Sequence, residues 1–263
     1  MKQVVFITGT SSGIGYVTAN YLVQKGFQVY GFSRSLPKQK ALFETIQGDV
    51  TKEENIIQAL DTVIKKENRL DVVINNAGMG IGGAAEYTTR KEIEAIFNSN
   101  NMGTFLVCKH AIPYLRNTKG RILNIGSVAA ELNIPFQSFY SATKASVQAY
   151  SMALRSELKP FHIKVSVVLP GDTKTEFTKN RKNTAVEVDK IYGSRIASSI
   201  QKMEQDEQRG MPAICVSKVI LKLITKKHPS AIKTVGVKYK LFVFLKRLLP
   251  TRFVTYLIYK LYG

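Results

Sequence analysis

Apolar residues in this chain gather in short unbroken runs, separated by longer stretches where they recur every third or fourth position. The runs at 3–8, 28–32, 71–75, 121–126 and 163–169 are rich in Val, Ile and Phe, the pattern of strands buried on both faces. The stretches 14–25, 52–67, 90–116 and 138–159 carry helical spacing, and Ala231-Ile232-Lys233-Thr234-Val235-Gly236 reads as a last strand. Strand and helix in alternation predict an α/β fold, a doubly wound parallel sheet of about seven strands with helices on both faces. Residues 1–236 are expected to form that domain, with a lid at about 176–212, and residues 237–263 a helical extension. The chain shows no internal repeat and no low-complexity linker.

The junction after the first strand carries the first chemistry. Thr8-Gly9-Thr10-Ser11-Ser12-Gly13-Ile14-Gly15 follows the run Gln3–Thr8 directly and opens a helical pattern. A glycine-rich turn there lets backbone amides approach a pyrophosphate at the positive helix N-terminus. The spacing is G-x-x-x-G-x-G, not the generic G-x-G-x-x-G. The second strand ends in Ser33-Arg34-Ser35 with no acidic residue. An acid at that point suits the ribose of NAD, whereas an arginine suits the 2′-phosphate of NADP(H). Further along, Tyr140 and Lys144 stand four residues apart, about one helical turn, so both project from one face. An ammonium beside a phenol stabilises the phenolate and makes tyrosine a usable proton donor and acceptor.

These motifs, with others in the same order, resemble the short-chain dehydrogenase/reductase family over residues 1 to about 176. The others are Asp49-Val50, Asn75-Asn76-Ala77-Gly78, Asn100 in Asn100-Asn101-Met102-Gly103, Ser127 after Gly126, and Pro170-Gly171. The resemblance implies a Rossmann-type fold and hydride transfer between NADP(H), or less readily NAD(H), and a carbonyl or alcohol. It assigns Tyr140 as general acid/base, Lys144 to depress the phenol's pKa and hold the nicotinamide ribose, and Ser127 to hydrogen-bond the reacting oxygen. Asn100, favoured over Asn101 by the spacing to Gly103, would hold a water linking Lys144 to solvent. Cofactor contacts carried over are Gly9, Ser11, Ser12, Gly13, Ile14, Gly15, Arg34, Asp49, Val50, Asn76, Ala77, Gly78, Pro170, Gly171, Thr173 and Thr175, besides Tyr140 and Lys144. Thr173 departs from the β-branched apolar residue common there. A homodimer or homotetramer is expected on the same ground.

Charge changes the picture at the far end. The 263 residues carry 38 Lys and Arg against 19 Asp and Glu, a net charge of +19. Residues 209–263 hold twelve of the basic residues and no acidic one. Between 237 and 263 the lysines and arginines interleave with Leu241–Leu245, Leu248-Leu249 and Phe253–Tyr259, and Pro250 divides the stretch into two short helical pieces. Each apolar run is far below the roughly 20 residues that span a bilayer. Two readings remain open: a helix pair lying peripherally on an anionic membrane surface, or one covering the substrate pocket or a subunit interface. No recognised nucleic-acid module accompanies the charge. Cys108 and Cys215 permit no disulfide framework, which suits a reducing cytoplasm. His110, His162 and His228 lack ligand spacing, so no metal site is expected. The first strand begins by residue 3, which leaves no room for a signal peptide.

The segment Leu248–Arg252 is similar to the tails of family members acting on steroids, retinoids or other lipids, and with the apolar tail it points to a bulky hydrophobic substrate such as a hydroxysteroid. Reduction of a 3-oxoacyl group on an acidic acyl carrier protein is an alternative. So is a non-catalytic dinucleotide sensor or membrane-bound scaffold.

Overall fold

A computed structural model describes residues 2–183 and 191–263. Seven parallel strands form one sheet: β1 (Val4–Thr8), β2 (Gln28–Ser33), β3 (Glu44–Gln47), β4 (Val72–Asn75), β5 (Arg121–Ile125), β6 (Lys164–Pro170) and β7 (Ile232–Val235). Their order across the sheet is β7-β6-β5-β4-β1-β2-β3, so the winding reverses between β1 and β4. A crevice at that reversal, beyond the strands' carboxyl ends, is where open α/β sheets bind ligands.

Alternate residues of each strand serve opposite faces. Val4 and Phe6 pack with α2 (Glu53–Glu67), α4 (Gly103–Thr118) and α5 (Ser138–Glu157) through Leu60, Leu115 and Leu154. Val5 and Ile7 face α1 (Gly13–Gln24) and α7 (Ala213–Thr225) through Leu22, Val216 and Ile220. Both faces are dry, which is why the strand runs are apolar at consecutive positions.

Two sequence expectations need correction. The single helix over 90–116 is interrupted: α3 (Arg90–Phe97) passes into a π-helical segment, Asn98–Met102, before α4 begins. Thr89 and Glu92 close a capping box at the start of α3. The wider π turn brings Asn100 and Asn101 inward together, both buried, and such segments concentrate at functional sites. The strand β3 was not anticipated, because Glu44-Thr45-Ile46-Gln47 is an edge strand with one half-buried apolar residue.

In the expected lid, Thr173–Lys174 pairs with Met211–Pro212, and Lys182–Asn183 pairs with Ile81–Gly82. Helix α6 (Arg195–Gln208) lies between them in sequence. Glu187 and Asp189 lie outside the described residues. The tail forms two helices, α8 (Val237–Leu248) and α9 (Thr251–Tyr262), which meet at Leu249-Pro250. Among the described residues, no helix is long and apolar enough to cross a membrane.

Candidate active site

The glycine turn is held open by its own hydrogen bonds. Thr8 Oγ1 accepts from the amides of Asn76 and Ala77, each at 3.0 Å, and Asn76 Nδ2 donates to the carbonyls of Thr8 and Gly9 at 3.1 and 3.0 Å. The turn after β4 is thereby stitched to the turn after β1. Gly9 has φ +73° and its missing Cβ would sit 2.7 Å from Ala77 Cα, so both conformation and space demand glycine. A Cβ on Gly15 would lie 2.2 Å from the Gly9 carbonyl oxygen. That glycine lets α1 start directly beneath the turn.

One cavity of about 960 Å³ opens above these turns. At one end its wall comprises Gly9, Ser11, Ser12, Gly13, Ile14 and Arg34, and then Asp49, Val50, Asn76, Ala77 and Gly78. At its centre stand Ser127, Tyr140 and Lys144, with Pro170, Gly171 and Thr173 beside them. Three expected contacts stand behind this wall. Gly15 packs under the turn, Thr175 lies against Gly13 and accepts from the Phe177 amide at 3.2 Å, and Asn100 is enclosed.

Asn100 has a defined structural task. Its Oδ1 accepts from the Met79 amide at 2.8 Å, and its Nδ2 donates to the Met79 carbonyl at 3.0 Å and to Thr143 Oγ1 at 3.1 Å. It ties the 78–80 turn to α5 beside Lys144. Its neighbour Asn101 donates to the Thr143 carbonyl at 3.0 Å.

Ser127, two residues beyond β5, is the cap of a short 3-10 turn, accepting from the Ala129 amide at 3.1 Å, and it lies close enough to Tyr140 to favour the phenolate. One serine is thus both cap and site residue. Burial pushes the Tyr140 phenol up to about 12, Ser127 and Arg181 pull it down, and Glu207 raises it. Lys144 Nζ lies 5.8 Å from the Tyr140 ring centroid and donates to the Ile125 carbonyl at 3.0 Å. Burial lowers its pKa to about 8. Desolvation is the largest influence on the phenol, and Lys144 is not among the groups that shift it in this structure. At neutral pH Tyr140 carries its proton and Lys144 is largely charged.

The far side of the cavity comes from the expected lid and from the tail, in line with a helix pair that covers the pocket, although sequence reading assigned none of its residues to the site. The Phe177 ring lies 5.7 Å from the Tyr140 ring, tilted by 52°. The covered Arg181 guanidinium pairs with Glu207, which also accepts from Thr178 Oγ1 at 2.6 Å. The tail supplies the rest. Tyr239 of α8 hydrogen-bonds Asp172 and lies where a Cβ on Gly171 would be, 1.9 Å from its ring. Tyr262 of α9 donates to Asp206 at 2.9 Å, and Lys246 reaches Glu131 at 2.9 Å. Burial raises the Asp172 and Glu207 carboxyls. Phe242, Leu245, Leu249, Val254 and Ile258 complete an apolar end. The alternating basic and apolar residues after 237 were the available signal, and they showed two helices but not which face turned inward.

Comparison with known proteins agrees with this geometry. Residues 3–185 match the family model described as short chain dehydrogenase. The chain belongs to this family. As a short-chain dehydrogenase it is an oxidoreductase whose fold binds a nicotinamide dinucleotide, and the glycine turn, the N-terminus of α1, which the Ser12 side chain leaves uncapped, and the Tyr140–Lys144 pair fit such a group. It is 38% identical over 257 residues to 3-ketodihydrosphingosine reductase of Bacteroides thetaiotaomicron, covering 97% of this chain and 96% of that one. It is 28% identical to NADPH-dependent 1-acyldihydroxyacetone phosphate reductase of Saccharomyces cerevisiae, covering 84% and 78%. Among solved structures, a short-chain dehydrogenase from Streptomyces avermitilis superposes with a TM-score of 0.83 at 27% identity, covering 94% and 93%.

Proposed function

We propose that this short-chain dehydrogenase is an NADP(H)-dependent carbonyl reductase acting on a bulky, lipid-like ketone, a keto-lipid rather than a compact steroid. One observation carries the reading. A protonated Tyr140, with Ser127 and Lys144 beside it, sits where the glycine-lined end of the cavity meets its apolar end. A phenol kept protonated is poised to give a proton, which is what carbonyl reduction requires. The similarity to reductases of a long-chain ketone and of an acylated ketone supports the substrate class.

The bound dinucleotide supplies the hydride; proton handling and orientation fall to the chain. Ser127 donates a hydrogen bond to the carbonyl oxygen, favouring charge that develops there. Tyr140 gives its proton to the same oxygen, so a ketone becomes a secondary alcohol. The Lys144 ammonium favours the phenolate left behind. Gly9, Ser11, Ser12, Gly13 and Ile14 would hold the pyrophosphate, and Asp49 and Val50 the adenine. Arg34 is exposed at the cavity edge and, among the described residues, meets no carboxylate, which supports a 2′-phosphate partner. Two free cysteines, Cys108 buried, support a reducing compartment, and family resemblance supports a homo-oligomer.

The test is NADPH oxidation with long-chain keto-lipids, ketosteroids and ketoacyl thioesters. Tyr140→Phe should lower turnover of the accepted substrate on the order of 100-fold or more while NADPH binding persists. Full turnover by that variant, or no carbonyl accepted by a protein that binds NADPH, overturns the reading.

A further inference from the structure

Seventeen large apolar side chains are exposed among the described residues, and eleven of them lie between 237 and 263. Exposed apolar surface is therefore concentrated on α8 and α9, and a patch of that kind marks an interaction site. Each helix has two faces. On α8, Tyr239, Phe242 and Leu245 line the cavity, as does Leu249 just beyond it, whereas Leu241, Phe244 and Leu248 do not and stand 53%, 56% and 66% exposed. On α9, Val254 and Ile258 line the cavity while Phe253, Tyr256 and Tyr259 face away and are about half exposed.

The charged residues of the hairpin are of one sign. Lys240, Arg247, Arg252 and Lys260 are exposed and, among the described residues, form no ion pair, although Arg247 lies near enough to Glu131 to help keep that carboxyl charged. No acidic residue occurs from 209 to 263. Two copies of this face would oppose like charges, which disfavours self-association. An apolar strip fringed by Lys and Arg matches the interfacial zone of an anionic bilayer. Twelve-residue helices of about 18 Å can lie in that zone but not span it.

We propose that the α8–α9 hairpin docks on an anionic lipid bilayer and forms the portal through which a lipid ketone passes from the bilayer into the cavity. The delivery half rests on the carbonyl-reductase reading; the docking half does not. The hairpin's outer residues enter the interface while its inner residues continue the apolar wall toward Tyr140. Its polar attachments to the core, Tyr239 to Asp172, Lys246 to Glu131 and Tyr262 to Asp206, hold the portal in place over the cavity.

The experiment is flotation of the full chain with phosphatidylcholine vesicles, with and without phosphatidylglycerol, at low and high salt. Binding is expected only with the anionic lipid and weakens with salt. Each basic side chain near such a surface contributes about fivefold in partition. Changing Lys240, Arg247, Arg252 and Lys260 together to Gln should therefore lower binding by roughly several hundredfold. A second variant, Leu241→Ser with Phe244→Ser and Leu248→Ser, should also detach while its circular dichroism and NADPH binding stay unchanged. In both variants, turnover of a long-chain ketone carried in vesicles should fall with binding, and turnover of a short water-soluble ketone should hold. Wild-type flotation by either variant, or no binding to anionic vesicles by the parent, overturns docking. A dimer in light scattering that the second variant breaks, without vesicle binding, assigns the face to another copy and also overturns docking. Undiminished turnover of vesicle-borne ketone by a detached variant overturns delivery. Failure to reduce any ketone overturns the reductase reading and delivery with it, while flotation still decides docking.

Discussion

Replacing Lys144 by Met should make the protein more stable and nearly inactive. Lys144 is 6% exposed, and burial alone accounts for the fall of its pKa from 10.5 to about 8. Because the native state holds that proton less tightly than the unfolded chain, native stability rises with pH between about 8 and 10.5. Below that window the folded protein bears the full cost of a buried ammonium, about 3 kcal/mol. Met keeps the length and apolar stem of the side chain without its charge. It leaves the Ile125 carbonyl without its 3.0 Å donor, which costs about 1 kcal/mol. At pH 7 the variant should gain about 2 kcal/mol net, or roughly 4–8 °C in Tm for a chain of this size. By pH 10 most of that gain should be gone. Urea denaturation at the two pH values measures the difference, and NADPH oxidation should meanwhile fall on the order of 100-fold or more. A variant less stable than the parent at pH 7, or a gain independent of pH, refutes the account of Lys144 as a charge held against its hydration.

Gly15→Ala should abolish dinucleotide binding, since its Cβ would meet the Gly9 backbone oxygen at 2.2 Å and neither backbone can yield without moving α1; isothermal titration with NADPH checks this. Gly171→Ala displaces the Tyr239 ring and its bond to Asp172, so it should cost about 2–4 kcal/mol by overpacking and a lost charged hydrogen bond. Adding Tyr239→Ala should relieve the steric part, and equal destabilisation in single and double variants would contradict the contact. Arg34→Asp should move preference from NADPH toward NADH, read as the ratio of kcat/KM values; an unchanged ratio means Arg34 touches no 2′-phosphate. The logarithm of kcat/KM for reduction should bend downward above pH about 8 as Lys144 loses its proton; a profile flat to pH 10 would remove Lys144's charge from the reaction.

Where the sequence was readable, each signal came from a local physical requirement. Val4–Thr8 must be apolar on both sides because α1 and α2 cover opposite faces, and Gly9 must be glycine because of its backbone. Such demands leave marks on consecutive residues. The β3 edge leaves little mark, since one side of Glu44–Gln47 meets solvent. The π turn was hidden because Asn98–Met102 breaks no helical rule strongly enough to signal an extra residue per turn. Tyr140 and Lys144 could be placed on one face, but their relative acidity depended on burial and on the charges of Arg181 and Glu207, far away in sequence. The tail showed its amphipathic character and kept its orientation hidden, because the partners of Tyr239, Lys246 and Tyr262 lie 56 to 115 residues upstream.

The cavity draws its glycine-lined end largely from early segments and much of its apolar end from the final two helices. These two regions answer to different chemical demands and are joined through Gly171 and Asp172 with Tyr239, Glu131 with Lys246 and Asp206 with Tyr262. Exchange of residues 239–262 with those of a relative is thus a compact route to new substrate scope, with the hydride apparatus left intact. Laboratory libraries confined to α8 and α9 should diversify what is reduced without changing how.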